Sequence, residues 1–127
     1  MNINIKATNM ELTSAINIYV DKRLASLQKF FGDAEMSGQV EVGKTTNHHK
    51  QGDVFKAEID INVSGKNYFS NSEKDDLYAA IDDAREQIMA IATREKDRKQ
   101  TLYKRGASSV KKMLKGISKR NPFTSKY

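Results

Sequence analysis

The run Val54–Val63, "VFKAEIDINV", alternates without a break. Phe55, Ala57, Ile59, Ile61 and Val63 are apolar, and Lys56, Glu58, Asp60 and Asn62 between them are polar or charged. A period of two places the first set on one face of an extended chain and the second on the other, which fits a half-buried strand and not a helix. Such a strand needs neighbours for its backbone and a cover for its apolar face. Neighbours are at hand. "NINIKAT" (Asn2–Thr8) puts Ile3, Ile5 and Ala7 on one side, and "QVEVGKT" (Gln39–Thr45) does the same with Val40 and Val42. Ser64–Gly65 reads as a two-residue turn into "KNYFSNSE".

The cover comes from two segments of helical period. Ile16, Val20, Leu24, Leu27 and Phe31 recur at helix spacing, with Thr13 as N-cap and Gly32 as stop. Leu77, Ile81, Ala84, Ile88 and Ala92 form a second stripe, preceded by Ser72 and Asp75 in capping-box spacing. This second helix is expected to end near Gln100, with its last turns projecting because Glu95 falls on the stripe. The expected architecture is α+β in the order β-α-β-β-β-α: a four-stranded sheet with one wet face and both helices packed on the other.

A chain of 127 residues is one domain's worth, and about 100 residues can bury a usable core without staples. There is no cysteine, so disulfides, thiolate metal sites and a cysteine nucleophile are excluded. "MNINIKATNM" does not read as a signal peptide, and no apolar run approaches the roughly 20 residues of a membrane span, so a soluble cytoplasmic protein is expected. The net charge of +6 is unevenly spread. Residues 103–127 hold eight cations (Lys104, Arg105, Lys111, Lys112, Lys115, Lys119, Arg120 and Lys126) and no acid, which leaves 14 cations against all 16 acids in residues 1–102. Such a stripe attracts polyanions, nucleic acid first and an anionic membrane surface second. Gly106 is expected to interrupt the helix. Val110, Met113, Leu114 and Ile117 carry a weaker apolar period that Gly116 and short length argue against as a helix in isolation. The expected organisation is a folded domain over residues 1–101 and a basic tail over 102–127 that orders on contact.

Several motifs invite chemistry and are better read as structure. "GQVEVGKT" (Gly38–Thr45) fits the phosphate-loop pattern, but its interior alternates as a strand and "TNHHKQGD" after it is no helix. His48 and His49 are adjacent, so on an extended loop they point apart, and no third metal ligand stands at a familiar spacing. Asp75–Asp76 and Asp82–Asp83 lie early in the second helix, where its dipole favours acids. No nucleophile and base stand together, so neither an enzyme nor a cofactor, metal or small-molecule substrate is expected. The helix cations are more informative. Lys22 and Lys29 lie two turns apart on a face that also carries Ser26, and Arg23 sits at the edge of the apolar stripe. Arg94 and Arg98 line one flank of the second helix, Lys96 and Lys99 another. With the helices side by side these form a basic surface that would contact phosphates, giving affinity but little sequence readout. Cations late in a helix also satisfy its negative end, which is the bland alternative.

"ELTSAINIYVDKRLASLQKFF" (Glu11–Phe31), "VFKAEIDINV" and above all "DLYAAID" (Asp76–Asp82) resemble the ribosome hibernation-promoting factor family, also called ribosome-associated inhibitors or ribosomal subunit interface proteins. The resemblance covers about residues 1–100. It implies a fold like a double-stranded-RNA-binding domain and a non-enzymatic protein seated on the small ribosomal subunit. There it would lie in the channel of mRNA and the A- and P-site tRNAs, blocking translation in starved or stationary cells and preserving idle ribosomes. Carried over by position, Arg23, Lys29, Arg94 and Arg98 match basic sites of that family. Ser26, Gln87 and Ala90 depart from it, since relatives usually have bases there, and the tail is read as the compensation. The expected rRNA contacts are thus Lys22, Arg23, Lys29, Arg94, Lys96, Arg98, Lys99, Lys104, Arg105, Lys111, Lys112, Lys115, Lys119 and Arg120, with Tyr103, Phe123 and Tyr127 available to stack on bases. The tail of about 25 residues is too short for the dimerisation domain of the long family members. A monomer off the ribosome is therefore expected, with the small subunit, its rRNA and the whole ribosome as partners and no membrane. The competing reading is a general structured-RNA-binding or chaperone protein.

Overall fold

The computed structural model describes the backbone of residues 1–46 and 52–118, and the side chains of 1–45 and 52–106. The elements are β1 (Asn2–Thr8), α1 (Ser14–Phe31), β2 (Met36–Thr46), β3 (Asp53–Val63), β4 (Lys66–Lys74) and α2 (Leu77–Ser118), in the expected order. The sheet runs β1-β2-β3-β4, with β1 parallel to β2 and the other two pairings antiparallel. The chain divides into two compact units, residues 1–90 and 91–127.

In the first unit the period-two reading holds. Val40, Val42, Ala57, Ile59, Ile61 and Val63 are buried on one face, while Asp60 between them is exposed. Met36 and Tyr68 extend that face, and Ile16, Val20, Leu24 and Leu27 of α1 with Leu77, Ala80, Ile81, Ala84 and Ile88 of α2 complete the core. The Phe31 ring reaches Tyr68, 5.4 Å between centroids, so the end of α1 lies over β4. On β4 the inward positions include Ser70 and Ser72, which are small enough to let α2 approach. Ser70 Oγ donates to the Ala84 carbonyl at 2.7 Å, and Ser72 Oγ donates to Asp83 Oδ2 at 2.6 Å. A buried hydroxyl without such a partner would destabilise the fold.

Local signals explain the boundaries. Thr13 Oγ1 accepts from the Ile16 amide at 3.2 Å, the N-cap bond anticipated from sequence. Gly32 ends α1 at φ 69°, and Gln28 Nε2 reaches past it to the carbonyls of Gly32 and Ala34. Ser64 and Gly65 both have positive φ (50° and 89°), the geometry that lets a two-residue turn follow the twist of β3 and β4. Gly38 on β2 is obligatory for a different reason. Its φ is 150°, and a Cβ there would lie 2.2 Å from the Asp60 carbonyl oxygen on β3.

Three expectations are corrected. Ser72 does not cap α2; it is the inward residue of β4, and the cap is Asp76, whose Oδ2 accepts from the Ala79 amide at 3.3 Å. Asp82 and Asp83 lie beyond the first turn of α2 and are engaged by side chains rather than by its dipole alone. The second helix does not end near Gln100 but continues through Gly106 to Ser118. One exposed glycine costs a helix only about 1 kcal/mol, and nothing lies within 4 Å of where its Cβ would be. The phosphate-loop pattern falls wholly within β2, a strand, as its alternation implied.

Candidate nucleic-acid interface

The site is built from the outer sides of α1 and α2. In the first unit, the two helices meet along matched positions one and two turns apart: Tyr19, Arg23 and Ser26 on α1 face Tyr78, Asp82 and Arg85 on α2. The Tyr19 and Tyr78 rings stand edge to face, 4.7 Å apart. Arg23 Nε lies 2.7 Å from Asp82 Oδ1, and Arg85 Nε donates to Ser26 Oγ at 2.8 Å. The pairs ascend together along both helices, so α1 and α2 run parallel. Helical spacing of i, i+4 and i+7 on each partner places these six side chains on facing stripes.

Along this seam Tyr19 Oη donates to Asp82 Oδ1 at 2.6 Å and accepts from Arg23. The bond to Asp82 is the main reason the Tyr19 phenol is held above its ordinary 10, burial adding to it. Arg23 is held above its ordinary value by the hydrogen bond to Tyr19 and then by Asp82. Arg85 also pairs with Glu86. On the sheet side, the Asp83 carboxyl is held below its ordinary value, chiefly by the Ser72 hydroxyl and also by Gln87 Nε2 at 3.1 Å.

Around this seam stand the cations expected from sequence. Lys22 and Lys29 are exposed, and Arg23 is partly covered and paired with Asp82. Ser26, a turn from Lys22 and from Lys29, is partly covered, and its hydroxyl is spent between the Arg23 carbonyl, 2.6 Å away, and Arg85. Gln87, likewise a departure from the usual base, donates to the Asn71 carbonyl at 2.8 Å. Arg85 was not anticipated as a site residue. Its partner on α1 is 59 positions away in sequence, and no local pattern announces such a pair.

In the second unit, Arg94, Lys96, Arg98, Lys99, Lys104 and Arg105 are exposed. Arg94 and Arg98 line one shallow depression with Ile91 and Glu95, the flank expected from their spacing. Tyr103 is 77 % exposed, open to stacking. Lys111, Lys112 and Lys115 belong to α2, with side chains outside the described residues; His48, His49, Lys119, Arg120, Phe123 and Tyr127 lie outside them altogether. By sequence, residues 1–90 carry ten cations against fourteen acids, and residues 91–127 twelve against two. The open face of the sheet belongs to the acidic side. It carries Glu41, Glu58, Asp60 and Glu73 against Lys6 and Lys56, and Lys56 is held above its ordinary value by Glu58 first, then by Glu41 and Glu73.

Among the described residues no helix is long and apolar enough to cross a membrane, and no three His, Cys, Asp or Glu side chains gather as metal ligands. What the first unit can do is offer Lys22, Arg23 and Lys29 to phosphates beside the seam, and the second unit offers dispersed cations of its own.

Comparison with known proteins agrees with the fold. The model of the "Sigma 54 modulation protein / S30EA ribosomal protein" family matches residues 3–100. A ribosome hibernation promoting factor of Azotobacter vinelandii is 33 % identical over 82 residues, 65 % of this chain and 70 % of that protein. Its counterpart in Escherichia coli K12 is 27 % identical over 99 residues, 77 % of this chain and 96 % of that one. The crystal structure of the Thermus thermophilus Protein Y N-terminal domain superposes with a TM-score of 0.60 at 33 % identity, covering 74 % of this chain and 98 % of that domain. A ribosomal subunit interface protein from Coxiella burnetii has the same fold, with a TM-score of 0.59 at 14 % identity.

Proposed function

The chain belongs to the Sigma 54 modulation protein / S30EA ribosomal protein family, and from that premise we propose that it binds the small ribosomal subunit in the mRNA and tRNA channel and blocks translation there by occupying space. Its named relatives are ribosome hibernation promoting factors. The subunit, the channel and the rRNA contacts are the further reading. The observation that carries it is the segregation of charge: residues 91–127 hold a net excess of ten positive charges, on a helix with six exposed cations among its described side chains. The body supplies a compact plug whose helix side adds Lys22, Arg23 and Lys29. The cations of residues 102–127 add contacts to rRNA phosphates that fasten the plug.

The test is sedimentation of the full chain and of a form truncated after Gln100 with isolated small subunits and whole ribosomes, at about 50 and 200 mM salt. Each phosphate contact adds about 0.7 to 0.9 to the slope of log affinity against log salt, so losing up to eight cations is expected to release the truncated form at the higher salt while the full chain stays bound. If both forms remain at the top of the gradient under all conditions, the reading is wrong. Equal affinity for isolated duplex RNA and for ribosomes would replace it with a general RNA-binding role.

A further inference from the structure

The cluster of Tyr19, Arg23 and Asp82 has a geometry that packing alone does not demand. Arg23 Nε lies 2.7 Å from Asp82 Oδ1, and the Tyr19 hydroxyl lies 3.4 Å from Nε and 3.3 Å from Nη2. The tyrosine hydroxyl is itself fixed, 2.6 Å from the same carboxylate oxygen. The Arg23 guanidinium carbon stands 5.4 Å from the centre of the Tyr19 ring, which limits its swing further. One edge of the planar guanidinium, Nε and one Nη2 hydrogen, is therefore taken by the protein. The other edge, formed by Nη1 and the second Nη2 hydrogen, has no described hydrogen bond. The side chains of Arg23 and Asp82 are each 39 % exposed, so the cluster opens to solvent. Arginine binds phosphate best through two parallel N–H bonds from one edge, and fixing that edge beforehand removes the ordering cost at the moment of binding.

We propose that Asp82 and Tyr19 are positioning residues that hold Arg23 with its Nη1–Nη2 edge turned outward as a preset fork for one RNA phosphate. The inference rests on the ribosome-binding reading above. The Tyr19 hydroxyl donates to Asp82 and accepts from Arg23, so it ties the two together. The idea has an unusual consequence of sign. A carboxylate beside a phosphate site repels the phosphate, so by charge alone removing it tightens binding. If the carboxylate instead orients the arginine, removing it weakens binding although the protein has become more positive.

The experiment measures the affinity of the full chain for isolated small subunits at several salt concentrations, with Asp82→Asn, Tyr19→Phe, Arg23→Lys, Arg23→Ala and the double variant Asp82→Asn/Arg23→Ala. Asp82→Asn and Tyr19→Phe are expected to weaken binding about two- to ten-fold, the range of ordering one long side chain. Arg23→Lys is expected to weaken it as well despite its conserved charge, and Arg23→Ala to lower the salt slope by about one phosphate contact. In the Arg23→Ala background, Asp82→Asn is expected to cause no further loss. Asp82→Asn binding as tightly as the unaltered chain, or more tightly, overturns the proposal. Should Asp82→Asn fail to fold, Tyr19→Phe decides, since it keeps the ring against Tyr78 and removes only the hydroxyl; unchanged affinity there overturns it too. Absence of binding by the unaltered chain overturns the ribosome-binding reading itself, a result distinct from either.

Discussion

The two units of this chain are held by different forces. Residues 1–90 bury Val20, Leu24, Leu27, Met36, Val40, Val42, Ile59 and Ile61 to 1 % exposure or less, and they carry more acids than bases. Among the described side chains of residues 91–106, Ala92 alone is buried, and cations dominate. The first unit is an object of packing, with shape set by apolar area removed from water. The second is described as helix as far as Ser118, and its described side chains are held by little apolar packing. On the function proposed above, the difference divides the labour: shape lies in the first unit and long-range attraction in the second.

The largest blow to this contrast is a matched pair of truncations. Leu24→Ala in the body is expected to lower unfolding stability by about 2 to 5 kcal/mol, the cost of an unfilled core site. Leu102→Ala, at a side chain 55 % exposed, is expected to shift it by less than about 0.5 kcal/mol. Chemical denaturation followed by tyrosine fluorescence measures both, and equal effects would break the comparison.

A smaller effect sharpens it from the polar side. Ser72→Ala removes the buried donor to Asp83 and is expected to cost about 1 kcal/mol near neutral pH. The Asp83 carboxyl is depressed in the folded chain, so its contribution is present above the ordinary carboxylate pKa of about 3.9 and is lost as pH falls through the depressed folded value. The gap between Ser72→Ala and the unaltered chain is therefore expected to close in acid. A gap that stays constant from pH 7 to the acid limit would show that the Ser72–Asp83 bond does not carry it.

An effect of similar size but opposite sign falls in the second unit. Gly106→Ala meets nothing within 4 Å and replaces the weakest ordinary helix former with the strongest, so it is expected to stabilise the helix by about 1 kcal/mol. Far-ultraviolet circular dichroism of the full chain on warming would register the gain in helix, while the melting of the body stays in place.

Much of the body was legible because its signals are local. The alternation of Phe55 to Val63, the Thr13 cap, the Gly32 stop and the Ser64–Gly65 turn each depend on a few neighbouring residues. Ser72 misled because β4 turns polar residues inward: Tyr68, Ser70 and Ser72 share its buried face, so its alternation lacks the apolar signature, and a serine ahead of an acid then passes for a cap. The length of α2 was missed because Gly106 weakens a helix without ending it. In the candidate interface the exposed cations could be read off the chain, but the ties of Arg23 to Asp82 and of Arg85 to Ser26 could not. Those contacts exist only once two helices far apart in sequence lie in parallel.

The single parallel pairing of the sheet implies a route of assembly. β2, β3 and β4 follow one another in sequence and zip as antiparallel neighbours, closing short loops. β1 can reach β2 only by a crossover that includes the eighteen residues of α1. The amino-terminal strand is therefore expected to join a preformed three-strand meander late in folding and to fray from it first, so that its amides would exchange with deuterium ahead of those at the centre of the sheet.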